Sequence, residues 1–320
     1  MRSFRNTDQA LRFLIEEVSW GNAAGTCRDL STARRFAEAG MTAVMFGSIT
    51  QRPRTGNPGD NFYYDEHSDC SVNALGIPNK GIDGYPELPA VASAVRGSGA
   101  HAWVSVSAGD RFDEHEYGAM AHRLDRDDAA DVIEGNFSCG NMVLPDGSRK
   151  PIVCYDFDEF DAGVGALVAG AGKRKTAAKL TPLSEPSILH KNVALCLQHE
   201  VDYIVMANTV PNCYFALDGK PAIAMVRGGM GGRGVRPIIK GMLLMAAPQV
   251  KGTKTKLIAT GGVGCGADAY EYLALGAQGF QCNTALTRRH NDPRVMQEII
   301  CGSDGAPGLV DLLVEHGLPD

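Results

Sequence analysis

Cys139 stands in the stretch EGNFSCGNMVLPDG, Glu134 to Gly147, with Asn136 just before it and Asn141 just after. A thiol whose surroundings favour the thiolate can remove a proton from carbon. A free cysteine is also a common packing residue, and these fourteen residues alone leave the two readings level. The asparagines tilt the balance toward a polar ligand. One asparagine side chain both donates and accepts, which suits the edges of a cyclic amide or imide. Asn22, Asn73, Asn136, Asn141 and Asn208 all fall at or just after expected strand ends. Singly each could be a turn or cap residue; as a group they point to a binding face.

Two further features suggest an anionic, ring-bearing ligand. Lys179 lies inside the apolar run TAAKLTP, so its ammonium needs an anionic partner. That partner is either an acid or the edge of a flavin that turns negative on reduction. RGGMGGRG, Arg227 to Gly234, offers backbone amides that no side chain screens. TGGVGCGADAY opens a helix after one strand and CNTAL follows the next, so both can cradle a phosphate.

These residues need a frame that brings them to one face. VSWGNAA, TAVMFGSI, AWVSVSA, DVIEGNF, TAAKLT, YIVMANT, KLIATGG and GFQCNTA read as eight strands. Helical segments lie between them. DLSTARRFAEAG starts on Asp and Ser caps and stops at Gly. DEFDAGVGALVAGAGKR carries acids first and bases last, and SILHKNVALCLQHEV and GADAYEYLALGAQ repeat apolar residues at helical spacing. Eight β-then-α units predict a (β/α)8 TIM barrel rather than an open doubly wound sheet, with the catalytic face at the strand C-termini. The run from Gln51 to Gly84, rich in Gly, Pro and Asn, predicts an extended loop region on that face. No interdomain linker is visible, so residues 1–320 read as a single domain.

With 320 residues, 44% hydrophobic residues and a net charge of −6, the composition argues against a general nucleic-acid or membrane-surface binder. The first twenty residues lack an apolar leader core, and no run predicts a membrane span. Nine scattered cysteines without CxxC pairs predict reduced thiols, no metal site and a cytoplasmic location.

In their order along the chain, NAAGTC, GSITQRPRTGNP, VNALGIPNKGID, GNFSCGN, AAKLTP, ANTV, GGMGGRG and TGGVGCGADAYEYLALGAQGFQCNTAL resemble the dihydroorotate dehydrogenases, from about Asn22 to Leu286. The cysteine in NFSCGN is similar to the soluble class 1 enzymes. The resemblance implies an FMN-binding barrel that oxidises dihydroorotate to orotate in pyrimidine biosynthesis. It implies that Cys139 takes the C5 proton while a hydride leaves C6 for flavin N5. Asn73, Asn136, Asn141, Asn208 and Thr209 would hold the substrate, with the main chain of Leu75, Gly76 and Ile77 near its carboxylate. Ala24, Gly25, Gly47, Ser48, Asn136, Lys179, Gly231, Gly232, Gly261, Gly262, Asn283 and Thr284 would hold FMN, Lys179 at the N1/O2 edge. An electron acceptor would then be fumarate, NAD through an iron–sulfur/FAD subunit, or a quinone, and the chain would form a homodimer.

The match has departures. Soluble class 1 enzymes carry a lysine where this chain has Gly47, and the membrane-associated class carries one after the first strand, where this chain has Arg28. Gly140 replaces the family's proline in the catalytic loop. These departures keep two other readings in view: a flavoenzyme for another dihydropyrimidine, and an idle FMN- or phosphate-binding barrel.

Overall fold

The eight expected runs form the strands of a closed parallel barrel: Ser19–Asn22, Ala43–Ile49, His101–Val106, Val132–Asn136, Lys175–Lys179, Tyr203–Met206, Lys256–Thr260 and Gly279–Cys282. The structure, a computed structural model, describes residues 1–144, 146–303 and 305–319. The first strand closes the ring on the eighth, with Ser19 opposite Gly279 and Asn22 opposite Cys282. Side chains alternate across each strand. One set, including Met45, Trp103, Val132, Ala177, Tyr203, Val205 and Ile258, packs inside the barrel. There the Trp103 and Tyr203 rings lie 4.8 Å apart. The other set, with Phe46, Val104, Ile133, Ala178, Ile204 and Leu257, joins the larger core under the helices. The interior is therefore packed with side chains below the strand C-termini.

The helices follow their capping chemistry. Asp29 caps Leu30–Glu38 by accepting from the Thr32 amide, and Asp156 caps Phe157–Gly170 by accepting from Asp158 and Glu159. The latter helix ends sooner than the charge pattern predicts. Lys173 and Arg174 fall beyond its last turn, where Arg174 pairs instead with Asp125 and Asp128 at 2.8 Å each. No helix among the described residues is long and apolar enough to cross a membrane.

The stretch read as one long loop carries structure of its own. Phe62–Asp65 and Cys70–Asn73 form two strands of a four-stranded antiparallel sheet, completed by Gly228–Gly232 and Val210–Cys213. RGGMGGRG is thus largely a strand rather than a turn. Its glycines permit the close pairing: a Cβ at Gly228 would sit 2.4 Å from the Asn73 carbonyl oxygen, and one at Gly232 would sit 2.4 Å from that of Asp69.

Candidate active site

Between the strand C-termini and this sheet lies a groove of about 1190 Å³, counted out to its open mouth. Its lining comes from both layers. The barrel contributes Ala24, Gly25, Ser48, Asn136, Cys139, Asn141, Lys179, Asn208, Thr209, Gly261, Gly262, Asn283 and Thr284, whereas the sheet and its flanks contribute Asn73, Leu75, Gly76, Ile77, Gly231 and Gly232. Gly47 is the one expected site residue that does not line it. Asn22 also lies apart and is structural: it exchanges hydrogen bonds with the Met45 backbone and donates to Thr26, which ties the first two strands.

A chain of hydrogen bonds fixes the polar floor. Ser105 and Ser48 share a 2.8 Å bond, Asn136 donates to Ser48 at 3.0 Å, Ser138 donates to Asn136 at 2.7 Å, and Asn208 donates to Ser138 at 2.9 Å. Four different strands or their following turns are locked by it, so Asn136 and Asn208 are held in fixed orientations before any ligand arrives. Asn141 donates to the Asn73 carbonyl at 3.1 Å. Asn57, which sequence reasoning missed, joins the same two segments by donating to the carbonyls of Ala74 and Asn141.

At one end of the groove the backbone is bare. Gly232, Gly261 and Gly262 have φ of +92°, +123° and +74°, a region that disfavours side chains, and a Cβ on Gly231 would lie 3.1 Å from the Thr284 hydroxyl. Ser71 and Thr284 hydroxyls meet there at 3.0 Å, and Asn283 is braced by donating to the Ala24 carbonyl. This is a cradle for a phosphate-sized anion. The helix Gly266–Ala274 does not contribute as expected. Its own Asp268 accepts from the Gly264 and Cys265 amides, so the cradle draws on Gly261 and Gly262 instead.

Near Leu75 to Ile77 the groove offers a second anion-friendly wall. The amides of Leu75, Gly76 and Ile77 have no hydrogen-bond partner among the described residues. Among the described residues, Arg28 and Lys179 are the only basic side chains in the lining, and no Asp or Glu lines it. The glycine at 47 follows from the packing. Its φ is +106°, and a Cβ would meet the Ser105 carbonyl oxygen at 2.6 Å, so a lysine cannot stand there on this backbone. Gly140 has a similar cause, since a Cβ would meet Ile152 at 2.8 Å.

Cys139 sits half-buried in the lining. Burial pushes its thiol up, while the Asn141 amide, Lys150, Arg54 and the Met142 amide all act to lower it. The sequence predicts a lowered thiol, whereas in the structure burial outweighs the groups that lower it. Four groups nonetheless converge to favour the thiolate.

Lys150 went unnoticed in the sequence. It is 5% exposed, donates to the carbonyls of Ala108 at 2.9 Å and Gly109 at 2.7 Å, and its amide binds Met142. It therefore pins the loop after Cys139 to the third strand. Burial lowers its pKa from 10.5 to about 8. Between these values the unfolded chain binds the extra proton, so this group makes stability rise with pH from about 8 to 10.5. Lys150→Met is expected to remove that rise, read as the difference in urea midpoint between the two proteins across this range. Parallel pH profiles would refute the assignment.

The sequence model of the dihydroorotate dehydrogenase family matches residues 17–302. Among individual relatives, Dihydroorotate dehydrogenase A (fumarate) of Lacticaseibacillus paracasei is 28% identical over 281 residues, covering 83% of this chain and 87% of that one. Dihydroorotate dehydrogenase B (NAD(+)), catalytic subunit, of Geotalea daltonii is 25% identical, covering 87% and 83%. The crystal structure of ligand-free type DHODH from Eimeria tenella superposes with a TM-score of 0.74 at 18% identity, covering 94% and 86%, which shows a shared fold. With the family match spanning nearly the whole barrel and every element that frames the groove, the chain belongs to the dihydroorotate dehydrogenase family.

Proposed function

We propose that this chain is an FMN-dependent enzyme that oxidises dihydroorotate to orotate, acting as one flavin-binding barrel. The observation that carries the reading is the groove itself. Cys139 and four asparagines face one ligand space with a bare glycine cradle at one end, two basic side chains and, among the described residues, no acid in the wall. The residues fit FMN: Gly231, Gly232, Gly261, Gly262, Asn283 and Thr284 would hold its phosphate, and Lys179 would face the ring edge. Bound flavin supplies the two-electron acceptor for the hydride that leaves dihydroorotate C6.

The chain's own residues do the remaining work. Asn73, Asn136, Asn141 and Asn208 match the donors and acceptors of the ring amides, and the hydrogen-bond chain through Ser48 and Ser138 keeps two of them aimed. Arg28 and the free amides of Leu75, Gly76 and Ile77 offer positive potential to the carboxylate. Cys139 takes the C5 proton. Burial pushes its thiol up, and Lys150, Arg54 and the amides of Asn141 and Met142 act against that rise.

The purified protein is expected to show flavin absorption bands that bleach when dihydroorotate is added without oxygen. Bands that persist with dihydroorotate but bleach with dihydrouracil would move the reading to another dihydropyrimidine, which the glycine at position 47 accommodates more easily. Bands that persist with both would leave an idle flavin binder. Protein unable to take up FMN would refute the cofactor.

A further inference from the structure

One carboxyl group deep in the barrel has no part in the proposed chemistry. Glu134 is fully buried on the fourth strand, and neither carboxylate oxygen has a hydrogen-bond partner among the described residues. Alternation fixes its direction. Val132 belongs to the interior cluster, so Glu134 and Asn136 on the same strand also face inward. On the fifth strand Ala177 belongs to that cluster, so Lys179 faces inward too. The register sets Glu134 opposite Ala177 and Asn136 opposite Lys179. Glu134 therefore lies one layer below Lys179 on the diagonal, a spacing of roughly 7–8 Å between backbone positions that two long side chains can narrow.

Lys179 is 4% exposed and, like that of Glu134, its side chain makes no hydrogen bond or ion pair among the described residues. Burial raises the Glu134 pKa, and the Lys179 charge is the main influence against it, ahead of the Ser105 hydroxyl. That hydroxyl is already shared with Ser48. These two ionisable groups thus sit in a poorly screened interior without touching, and there Coulomb forces reach further than in water. Removing one member of such a pair leaves the other buried and uncompensated.

We propose that Glu134 is a positioning residue, the counter-charge that holds the Lys179 ammonium at the floor of the groove and offsets part of the charge it presents to a ring bound above. Glu134 touches neither ligand nor Cys139 and acts through Lys179 alone. Its effect on a bound flavin rests on the reading given under the proposed function; the pairing itself does not.

The test is a double-mutant cycle of Glu134→Gln and Lys179→Met with two readouts. In the flavin-free protein, each single change strands one charge and the double change strands none. The double variant is therefore expected to melt above either single variant; additive losses would overturn the pairing. Should Glu134→Gln not accumulate as folded protein, the double variant must do so, and its failure would count equally against the proposal. In the FMN-loaded protein, Glu134→Gln is expected to shift the balance toward reduced flavin by at least tenfold, about 30 mV for a two-electron couple. The shift should vanish in the Lys179→Met background. An equal shift in both backgrounds, or none in either, would overturn the action through Lys179. A wild-type protein that takes no flavin would refute the cofactor reading and leave the melting cycle to judge the pair.

Discussion

Cys139→Ala is expected to retain FMN and to be reduced by dihydroorotate roughly 10²–10⁴-fold more slowly, the usual range for removing a positioned general base. Flavin content should not change because the phosphate cradle is built from the sheet and the last two strand ends, whereas Cys139 follows the fourth strand. The fold should not change either. Alanine removes one atom from a half-buried site. The pH profile supplies a sharper check. Because burial holds the thiol above its ordinary value, the reduction rate of the wild-type protein should climb with alkalinity as the thiolate forms. Lys150 and Arg54 limit how far that climb extends by favouring the anion. In Cys139→Ser the climb should be lost, since a hydroxyl does not ionise in the accessible range. Stopped-flow reduction of the alanine variant at the wild-type rate would remove Cys139 as the base, whatever its place in the groove.

The barrel was legible in the sequence because its strands are buried on both faces and read as short apolar runs. All eight appear where the pattern places them, and so does the set of asparagines around Cys139. The antiparallel sheet over the groove was not legible. GGMGG has only the Met230 side chain to declare a strand, and at Gly228 and Gly232 the carbonyls of Asn73 and Asp69 lie close enough to exclude a Cβ. The partners of Asn57 and Lys150 lie far along the chain, so nothing local marked either residue. Asn22 misled for the opposite reason: it sits at a strand end like the others, but its amide is spent on the neighbouring strand. Asp268 could have been read. Its place three residues after Cys265 is the spacing of a cap that occupies helix amides, and those amides are then closed to a phosphate.

The other large effect is expected at Arg28, and it bears directly on which ring the groove selects. The carboxylate is what separates dihydroorotate from dihydrouracil, so recognition of it must come from groups that favour negative charge. The lining provides Lys179 at the floor, Arg28, and three amides at Leu75, Gly76 and Ile77. Gly47 can contribute no charge, because the Ser105 carbonyl closes the space above it. Arg28 has no hydrogen bond or ion pair with any described residue, so its guanidinium is not already committed elsewhere. Arg28→Met is therefore expected to raise KM for dihydroorotate roughly 10- to 100-fold, the range for losing hydrogen bonds to a charged group. Dihydrouracil, which lacks the carboxylate, should bind the variant and the wild type alike. Arg28→Lys should recover part of the loss, since an ammonium restores the charge but not a planar two-point contact. Equal losses with both substrates would mean that Arg28 shapes the groove without reading the carboxylate, and selection between the two rings would then rest on the free amides alone.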